Sequence, residues 1–197
     1  MNRYLRLFFM AAGDSTRYGE NKLLVDIGGK QMFRYVLEHL IRYRNEHKDN
    51  CEVWVISSYA DIHEMAMDHD LNYIANNRPQ DGISRTIHLA MKKSGSRDEE
   101  AAVFFTADQP FLTYETVEGF LNQVVVEEKG IISAKSLLGQ GNPVSFDKKY
   151  YEELGNLKGD QGGRVVSVRH ADDTVWYTTS VEEMQDIDEP GPVVPKL

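Results

Sequence analysis

Residues 7–22 read LFFMAAGDSTRYGENK, in which four apolar residues are followed by small residues and a glycine. A continuous apolar run of this length is typical of a strand that is buried on both faces, as the strands of a parallel sheet are. We therefore predict a strand over 7–10 that ends in a loop. Because ligands of open α/β sheets collect at the carboxyl ends of the strands, this loop is the first candidate for a binding site.

The first half of the chain continues with alternating strands and helices. Apolar runs predict further strands over 52–57, 71–75 and 101–106, and apolar residues at helical spacing predict helices over 30–44, 61–69 and 82–93. Helices that alternate with buried strands cover both faces of a sheet. The pattern predicts an open, doubly wound α/β sheet.

The second half of the chain is less regular. We predict a helix around 117–124, a strand over 130–134, a turn at Asn142-Pro143, a helix over 147–154 and short strands over 165–168 and 175–178. No internal repeat and no Pro- or Gly-rich linker divides the 197 residues. We therefore expect a single domain over 1–190 and an extended tail over 191–197.

The charge balance excludes one large class of partners. The chain carries 31 acidic and 22 basic side chains, which gives a formal net charge of −9. Nucleic-acid affinity depends on Lys and Arg that neutralise phosphates, so we expect no nucleic-acid partner. The single cysteine, Cys51, cannot form an intrachain disulfide. No apolar run approaches the roughly 18 residues that cross a bilayer, so we expect a cytoplasmic protein without a membrane partner.

The composition of the first loop leaves two interpretations open. Its small residues allow backbone amides to approach a ligand, and Arg17 and Lys22 supply cations. It matches neither the Walker sequence nor the Gly-x-Gly-x-x-Gly fingerprint, since Gly29-Lys30 is followed by Gln31. A phosphate-binding loop and an ordinary solvated turn are therefore both compatible with these residues.

A resemblance separates the two interpretations. The pattern of Ala11-Ala12-Gly13, Ser15, Arg17, Gly19 and Lys22 resembles the signature loop of nucleotidyltransferases with a MobA-like fold. Within them, the chain is most similar to molybdenum cofactor cytidylyltransferases and related accessory proteins of molybdenum hydroxylases. Five further segments resemble the family's signatures in the same order, namely 77–87, 106–110, 141–146, 159–164 and 186–190.

The resemblance implies a fold and a reaction. The fold would be the three-layer α/β fold of the nucleotide-diphospho-sugar transferases, with a Rossmann-like, open, mixed but mostly parallel sheet. It would have a nucleotide-binding half over about 1–110 and an acceptor-binding half over about 111–190. The reaction would move a nucleoside monophosphate from a nucleoside triphosphate to a phosphate on an acceptor and release pyrophosphate. Because the acceptor already carries its nucleophilic oxygen, catalysis would consist mainly of positioning and charge neutralisation.

The resemblance also assigns roles to individual residues. The nucleotide-binding residues would be Ala11, Ala12, Gly13, Ser15, Arg17, Lys22, Gly82 and Ser84. Arg17, Lys22 and Asp108 would be catalytic, and Asp108 and Asp188 would hold Mg²⁺, with Asp186 as the less favoured second acid. Taken alone, Asp108 could be a turn carboxylate, 186 and 188 an acidic tail, and Ser84 a simple helix cap.

The resemblance also assigns residues and a chemical class to the acceptor. Asn142, Pro143, Asp160 and Arg164 would bind the acceptor, although the last two could form only a surface salt bridge. Ala12 stands where guanylyltransferases have Gly, which favours CTP, and the expected acceptor is molybdopterin. The cytidylyltransferase pattern commonly has His at the position of Asn142 and Ala at the position of Gly163. Both departures fall in the half that should recognise the acceptor, so they concern the identity of the acceptor.

Two alternatives remain at this point. The same chemistry could act on a sugar phosphate or on methylerythritol phosphate. A non-catalytic accessory protein could instead keep the fold and deliver cofactor to a molybdenum hydroxylase. The presence of Arg17, Lys22, Asp108 and an acid near Asp188 favours the enzyme, because a delivery protein does not need all four.

Overall fold

The computed structural model describes residues 3–13 and 21–188. In this part of the chain, seven strands form one sheet in the order β3-β2-β1-β4-β6-β5-β7. Their bounds are Tyr4–Ala11 (β1), Cys51–Ser57 (β2), Asn72–Ala75 (β3), Glu100–Thr106 (β4), Ile131–Ser136 (β5), Gly139–Asp147 (β6) and Thr174–Thr178 (β7). β6 runs antiparallel to both of its neighbours and the other adjacent strands are parallel, which confirms the predicted mixed, mostly parallel sheet.

Helices cover both faces of the sheet. Their bounds are Met32–Glu46 (α1), Ala60–Asp68 (α2), Ile83–Met91 (α3), Tyr114–Val126 (α4), Tyr151–Leu154 (α5) and Gly163–Arg169 (α6). α1, α2 and α4 pack on the face that carries Leu7 and Phe9, whereas α3, α5 and α6 pack on the face that carries Phe8 and Met10. The alternating residues of β1 thus enter two separate cores, which explains why its apolar run is uninterrupted.

The strand register brings the candidate site together. Met10 pairs with Thr106 and Ala11 pairs with Ser57, so β1, β2 and β4 all end at the same edge of the sheet. The loop after β1 and the residues after β4 therefore face each other across a short distance. In the first half of the chain, the predicted strands and helices are confirmed with shifts of a few residues at their ends.

Two predictions in the second half were wrong. The predicted turn at Asn142-Pro143 lies inside β6. The helix predicted over 147–154 is confirmed as a 3₁₀ turn at Lys148–Tyr150 that continues into α5. Residues 165–168 form the body of helix α6 and not a strand. Val166 is fully buried whereas Val168 is 57% exposed. Residues two apart share a face in a strand but lie on opposite sides of a helix, so packing overrides the β-propensity of this Val-rich segment.

The tail expected over 191–197 lies outside the described residues. Within 3–13 and 21–188, no helix is both long enough and apolar enough to cross a membrane.

Candidate active site

A cleft of about 420 Å³ opens at the carboxyl ends of β1 and β4. Its wall is made by the first loop, the start of α3 and the residues that follow β4. Among the predicted site residues, those that line it are Ala12, Gly13, Lys22, Gly82, Asp108 and Asp160. Ala11 is the buried last residue of β1, and Ser84 is buried within α3. Ser15 and Arg17 lie outside the residues that the structure describes.

Lys22 joins the two acids that were predicted to bind a metal. Its Nζ donates to Oδ2 of Asp108 at 2.9 Å and to Oδ1 of Asp188 at 2.9 Å. Burial alone would lower the pKa of Lys22, but its contacts with Asp108 and Asp188 outweigh that effect and raise the pKa. The ammonium group therefore stays charged at the mouth of the cleft, held by carboxylates from the middle of the chain and from near its carboxyl end.

The acids around Lys22 are not fully satisfied. Oδ1 of Asp108 is buried and has no hydrogen-bond partner among the described residues. Partial desolvation and the negative charges of Asp108 and Asp188 raise the pKa of Asp186. The side chain nevertheless keeps contact with solvent. Asp186 is thus a third acid close enough to feel the charges of the two carboxylates that Lys22 contacts. A buried carboxylate oxygen without a partner has an unmet need for a cation or a donor.

No group of three or more His, Cys, Asp or Glu side chains in the described ranges could hold a metal ion by itself. A pair of carboxylates is nevertheless enough for Mg²⁺, which commonly takes one or two carboxylates and completes its shell with water and the phosphates of a substrate. The chemistry of Asp108 and Asp188 fits that donor set, because both present oxygen atoms at the same edge of the cleft.

A close backbone contact joins the start of α3 to residues 159–160 in the second half of the chain. Gly82 has φ +85°, and a Cβ on it would lie 2.4 Å from the carbonyl oxygen of Gly159. That same oxygen accepts the backbone N–H of Ser84 at 3.0 Å. Gly82 is the N-cap of α3, so the interpretation of Ser84 as the cap was wrong. The contact places Asp160 in the wall between two cavities.

The second cavity, of about 270 Å³, adjoins the first and shares Met10, Ile83 and Asp160 with it. Asn142 and Arg164 also line it, so three of the four predicted acceptor residues come together here. Pro143 lies beside them in β6 but does not line this cavity. Two neighbouring cavities with a shared wall can hold a donor and an acceptor side by side.

The structure gives a physical reason for one departure from the expected pattern. A Cβ on Gly163 would lie 2.9 Å from a ring carbon of Phe146, whose side chain is fully buried in the core. Alanine at this position would require the ring to move. Glycine at 163 therefore follows from the packing of Phe146 as well as from any preference for an acceptor.

Sequence reasoning missed some residues of the cleft. Thr86 and Thr106 both line it, and Oγ1 of Thr106 is buried without a partner in the described chain. Thr106 ends an apolar strand at the binding edge, which is a signal that could have been used. Thr86 lies within α3, and only the packing of this helix against the sheet brings it to the cleft.

Residues 7–174 of the chain match the MobA-like NTP transferase domain. The chain belongs to this family. It is therefore a nucleotidyltransferase of the MobA-like type, and the cleft at the end of β1 lies within the matched region. The matched region includes the carboxyl ends of β1 and β4 and reaches the first residue of β7.

Among characterised sequences, this MobA-like chain is similar to the purine catabolism protein PucB of Bacillus subtilis (strain 168). The two are 25% identical over an alignment of 197 positions, which covers 95% of this chain and 93% of PucB.

Solved structures share the fold of this MobA-like chain. Rv0371c from Mycobacterium tuberculosis H37Rv superimposes with a TM-score of 0.73 at 16% identity, covering 96% of this chain and 95% of Rv0371c. Rv0371c has also been solved as a complex with manganese. CMP:2-keto-3-deoxy-manno-octonic acid synthetase, complexed with CTP, superimposes with a TM-score of 0.69 at 12% identity, covering 95% and 94% of the two chains.

Proposed function

We propose that this nucleotidyltransferase moves CMP from CTP to a phosphorylated acceptor, with molybdopterin as the favoured acceptor, and releases pyrophosphate. The observation that carries the proposal is the Lys22 contact with Asp108 and Asp188, beside a buried oxygen of Asp108 that has no partner in the described chain. This arrangement offers a cation for phosphates and carboxylate oxygens for a metal at one edge of the cleft.

Asp108 and Asp188 would hold the divalent ion, for which we propose Mg²⁺. The manganese complex of Rv0371c supports a divalent ion in this fold. The bound ion would supply charge neutralisation for the triphosphate and the leaving pyrophosphate. Oδ1 of Asp108 is the oxygen best placed to ligate, since Oδ2 already accepts from Lys22.

Lys22 exchanges its partners when phosphate binds. Its Nζ is held by two carboxylates in this structure, and a phosphate oxygen is an equally good acceptor for the same ammonium group. In the proposed site, Lys22 would neutralise phosphate charge, which would leave Asp108 and Asp188 free to hold the metal. Arg17, which lies outside the described residues, is proposed to assist it.

The remaining nucleotide contacts follow the shape of the cleft. Backbone groups between Ala11 and Ser15 are proposed to hold the nucleotide, and Gly82 and Ser84 to lie near the base. The CTP complex of the structural relative supports a nucleoside triphosphate as a ligand of this fold. Ala12 is the residue on which the preference for CTP rests.

The second cavity is the proposed acceptor site, with Asn142, Asp160 and Arg164 in its wall and Pro143 supporting β6. Its apolar lining consists of Met10, Ile83, Ile87, Phe104 and Val144. An apolar surface with a few polar groups suits a flat heteroaromatic ring better than a fully hydroxylated sugar. This lining therefore supports molybdopterin over a sugar phosphate, and a molybdenum hydroxylase would use the product.

Pyrophosphate release tests the proposal. The protein is incubated with Mg²⁺, one of CTP, GTP, ATP or UTP, and either molybdopterin, a sugar phosphate or methylerythritol phosphate. We expect release with CTP and molybdopterin, its loss on addition of a chelator, and its recovery with Mg²⁺. Release with GTP alone would overturn the role of Ala12. If no nucleotide raises the melting temperature or reacts, the delivery-protein alternative replaces this proposal.

A further inference from the structure

The end of β2 contacts the first loop through two hydroxyl groups. Ser57 Oγ donates to the carbonyl oxygen of Ala11 at 2.9 Å, and the Tyr59 hydroxyl donates to the carbonyl oxygen of Gly13 at 2.9 Å. Ser57 Oγ also accepts the backbone N–H of Tyr59 at 3.1 Å. Ser57 and Tyr59 are therefore hydrogen-bonded to each other, and together they bind the carbonyl groups of Ala11 and Gly13.

This pair of residues is itself held by the sheet. Ser57 is fully buried, and its carbonyl oxygen accepts the Tyr73 hydroxyl of β3 at 2.9 Å and the backbone N–H of Asn76 at 2.9 Å. Tyr59 precedes α2 and is half-buried. The contacts thus run from β3 through β2 to the loop that lines the cleft, which makes the position of the loop depend on its neighbours.

Peptide geometry gives these contacts a consequence for anion binding. In a planar trans peptide, the C=O bond and the following N–H bond point in opposite directions. When Ser57 holds the carbonyl of Ala11, the N–H of Ala12 must point away from the Ser57 hydroxyl. A loop binds phosphate with N–H groups, whereas an inward carbonyl oxygen repels it. Holding the carbonyls of Ala11 and Gly13 against β2 keeps both away from a phosphate.

We propose that Ser57 and Tyr59 are positioning residues that orient the carbonyl groups of Ala11 and Gly13 so that residues 11–13 can bind phosphate. They act through Ala11 and Gly13 and do not line the cleft themselves. The inference rests on the proposed role of this loop in nucleotide binding. With these two residues, the proposed site includes the end of β2 as well as the residues that follow β1.

Tyr59→Phe tests this inference, because it removes one hydroxyl and keeps the ring. We expect the KM for CTP to rise about fivefold, which corresponds to the loss of one hydrogen bond, with kcat and the acceptor KM within about twofold of the wild type. The matched control is Tyr35→Phe, which removes a hydroxyl that donates to the carbonyl of Ile27 outside the cleft. This control should keep the wild-type KM for CTP.

Ser57 provides a second measurement with a conservative rescue. Ser57→Ala removes the hydroxyl and should raise the KM for CTP, whereas Ser57→Thr keeps a hydroxyl and should restore it. A wild-type KM for CTP in Tyr59→Phe, or an equal change in Tyr35→Phe, would overturn the inference. Failure of the wild-type protein to bind CTP with Mg²⁺ would instead contradict the proposed function, so the two failures can be told apart.

Discussion

The two ends of the central strands carry similar sets of charges that are used in opposite ways. At the amino-terminal end, Arg6 of β1 contacts Glu52 of β2 and Glu100 at the start of β4. At the carboxyl end, Lys22 contacts Asp108 and Asp188. Each cluster therefore has one cation between two carboxylates, and the two clusters are separated by the length of the same buried strands.

The amino-terminal cluster is fully satisfied. The carboxylate of Glu100 accepts the Nε–H of Arg6 and the backbone N–H groups of Gly95 and Arg97. Burial alone would raise the pKa of Glu100, but these donors outweigh that effect and lower it. A second nitrogen of Arg6 donates to Ser96. No buried side-chain nitrogen or oxygen of Arg6 or Glu100 lacks a partner in the described chain, so the cluster ties β1, β2 and β4 together.

The carboxyl-end cluster is left incomplete. Asp108 keeps one buried oxygen without a partner in the described chain, and the pKa of Asp186 is raised where that of Glu100 is lowered. A cation between two carboxylates thus serves stability where every buried donor and acceptor is matched, whereas at the proposed binding site one acceptor is left open. The two clusters differ in whether their buried carboxylate oxygens all have hydrogen-bond partners, and each has one cation between two contacting carboxylates.

Arg6→Met should give the largest effect on stability. It leaves Glu52 and Glu100 without their cation, and loss of one partner of a buried ion pair costs about 3–5 kcal/mol. Urea denaturation should show this fall in the free energy of unfolding, while kcat of the folded protein stays unchanged. The double variant Arg6→Met/Glu100→Gln should regain part of the loss. Equal stability of the wild type and Arg6→Met would show that this cluster is dispensable.

Asp108→Asn should have the reverse profile. It removes the charge that would ligate the metal, so we expect kcat to fall about 10³-fold, or about 4 kcal/mol. Because the carboxylate is incompletely satisfied in the free protein, the melting temperature should change by no more than a few degrees. Pyrophosphate release and thermal unfolding measure the two quantities. Persistence of full turnover in this variant would remove Asp108 from the proposed metal site.

Glu183→Gln should give the smallest effect and a dependence on pH. Burial would raise the pKa of Glu183, but hydrogen bonds from Thr113, Thr116 and Thr179 lower it to about 2. A lowered pKa stabilises the fold above the ordinary Glu value of about 4.3, and this contribution is lost as the pH falls toward 2. We expect the variant to lose about 1 kcal/mol at pH 7 and progressively less below pH 4.

Glu182→Gln is the matched control for that series. It makes the same change one residue earlier, at a side chain that has no hydrogen bond within the described ranges, and should leave the free energy of unfolding unchanged at every pH. Melting temperatures between pH 3 and pH 8 provide the comparison. A constant difference between Glu183→Gln and the wild type across this range would show that the titration of Glu183 does not contribute.

The first half of the fold could be predicted because its patterns are local. Each face of β1 enters a core, so the run from Leu7 to Met10 has only one buried arrangement in a sheet. The wrong predictions arose where local signals conflict with packing. The Val-rich segment of α6 has strand-like composition, yet Val166 fits the core on one side of a helix.

The candidate site could be predicted only in part. Lys22 and Asp188 lie 166 residues apart, and no spacing rule brings them to 2.9 Å, so the family resemblance was needed to place them together. The packing of Phe146 against Gly163 and the grip of Tyr59 on Gly13 depend on contacts between distant elements. Neither leaves a pattern in the sequence that could have been recognised.

The position of β6 has a consequence for how the molecule is assembled. β6 follows β5 in the chain but lies between β5 and β4 in the sheet, so the hairpin joins the earlier strands through its second arm. During synthesis, β1 to β4 can pair while the rest of the chain is still being made. Asp188 arrives last, tied in place by the Ile187 N–H bond to the Asp108 carbonyl. A chain that stops before Ile187 would keep the sheet and lack the second acid.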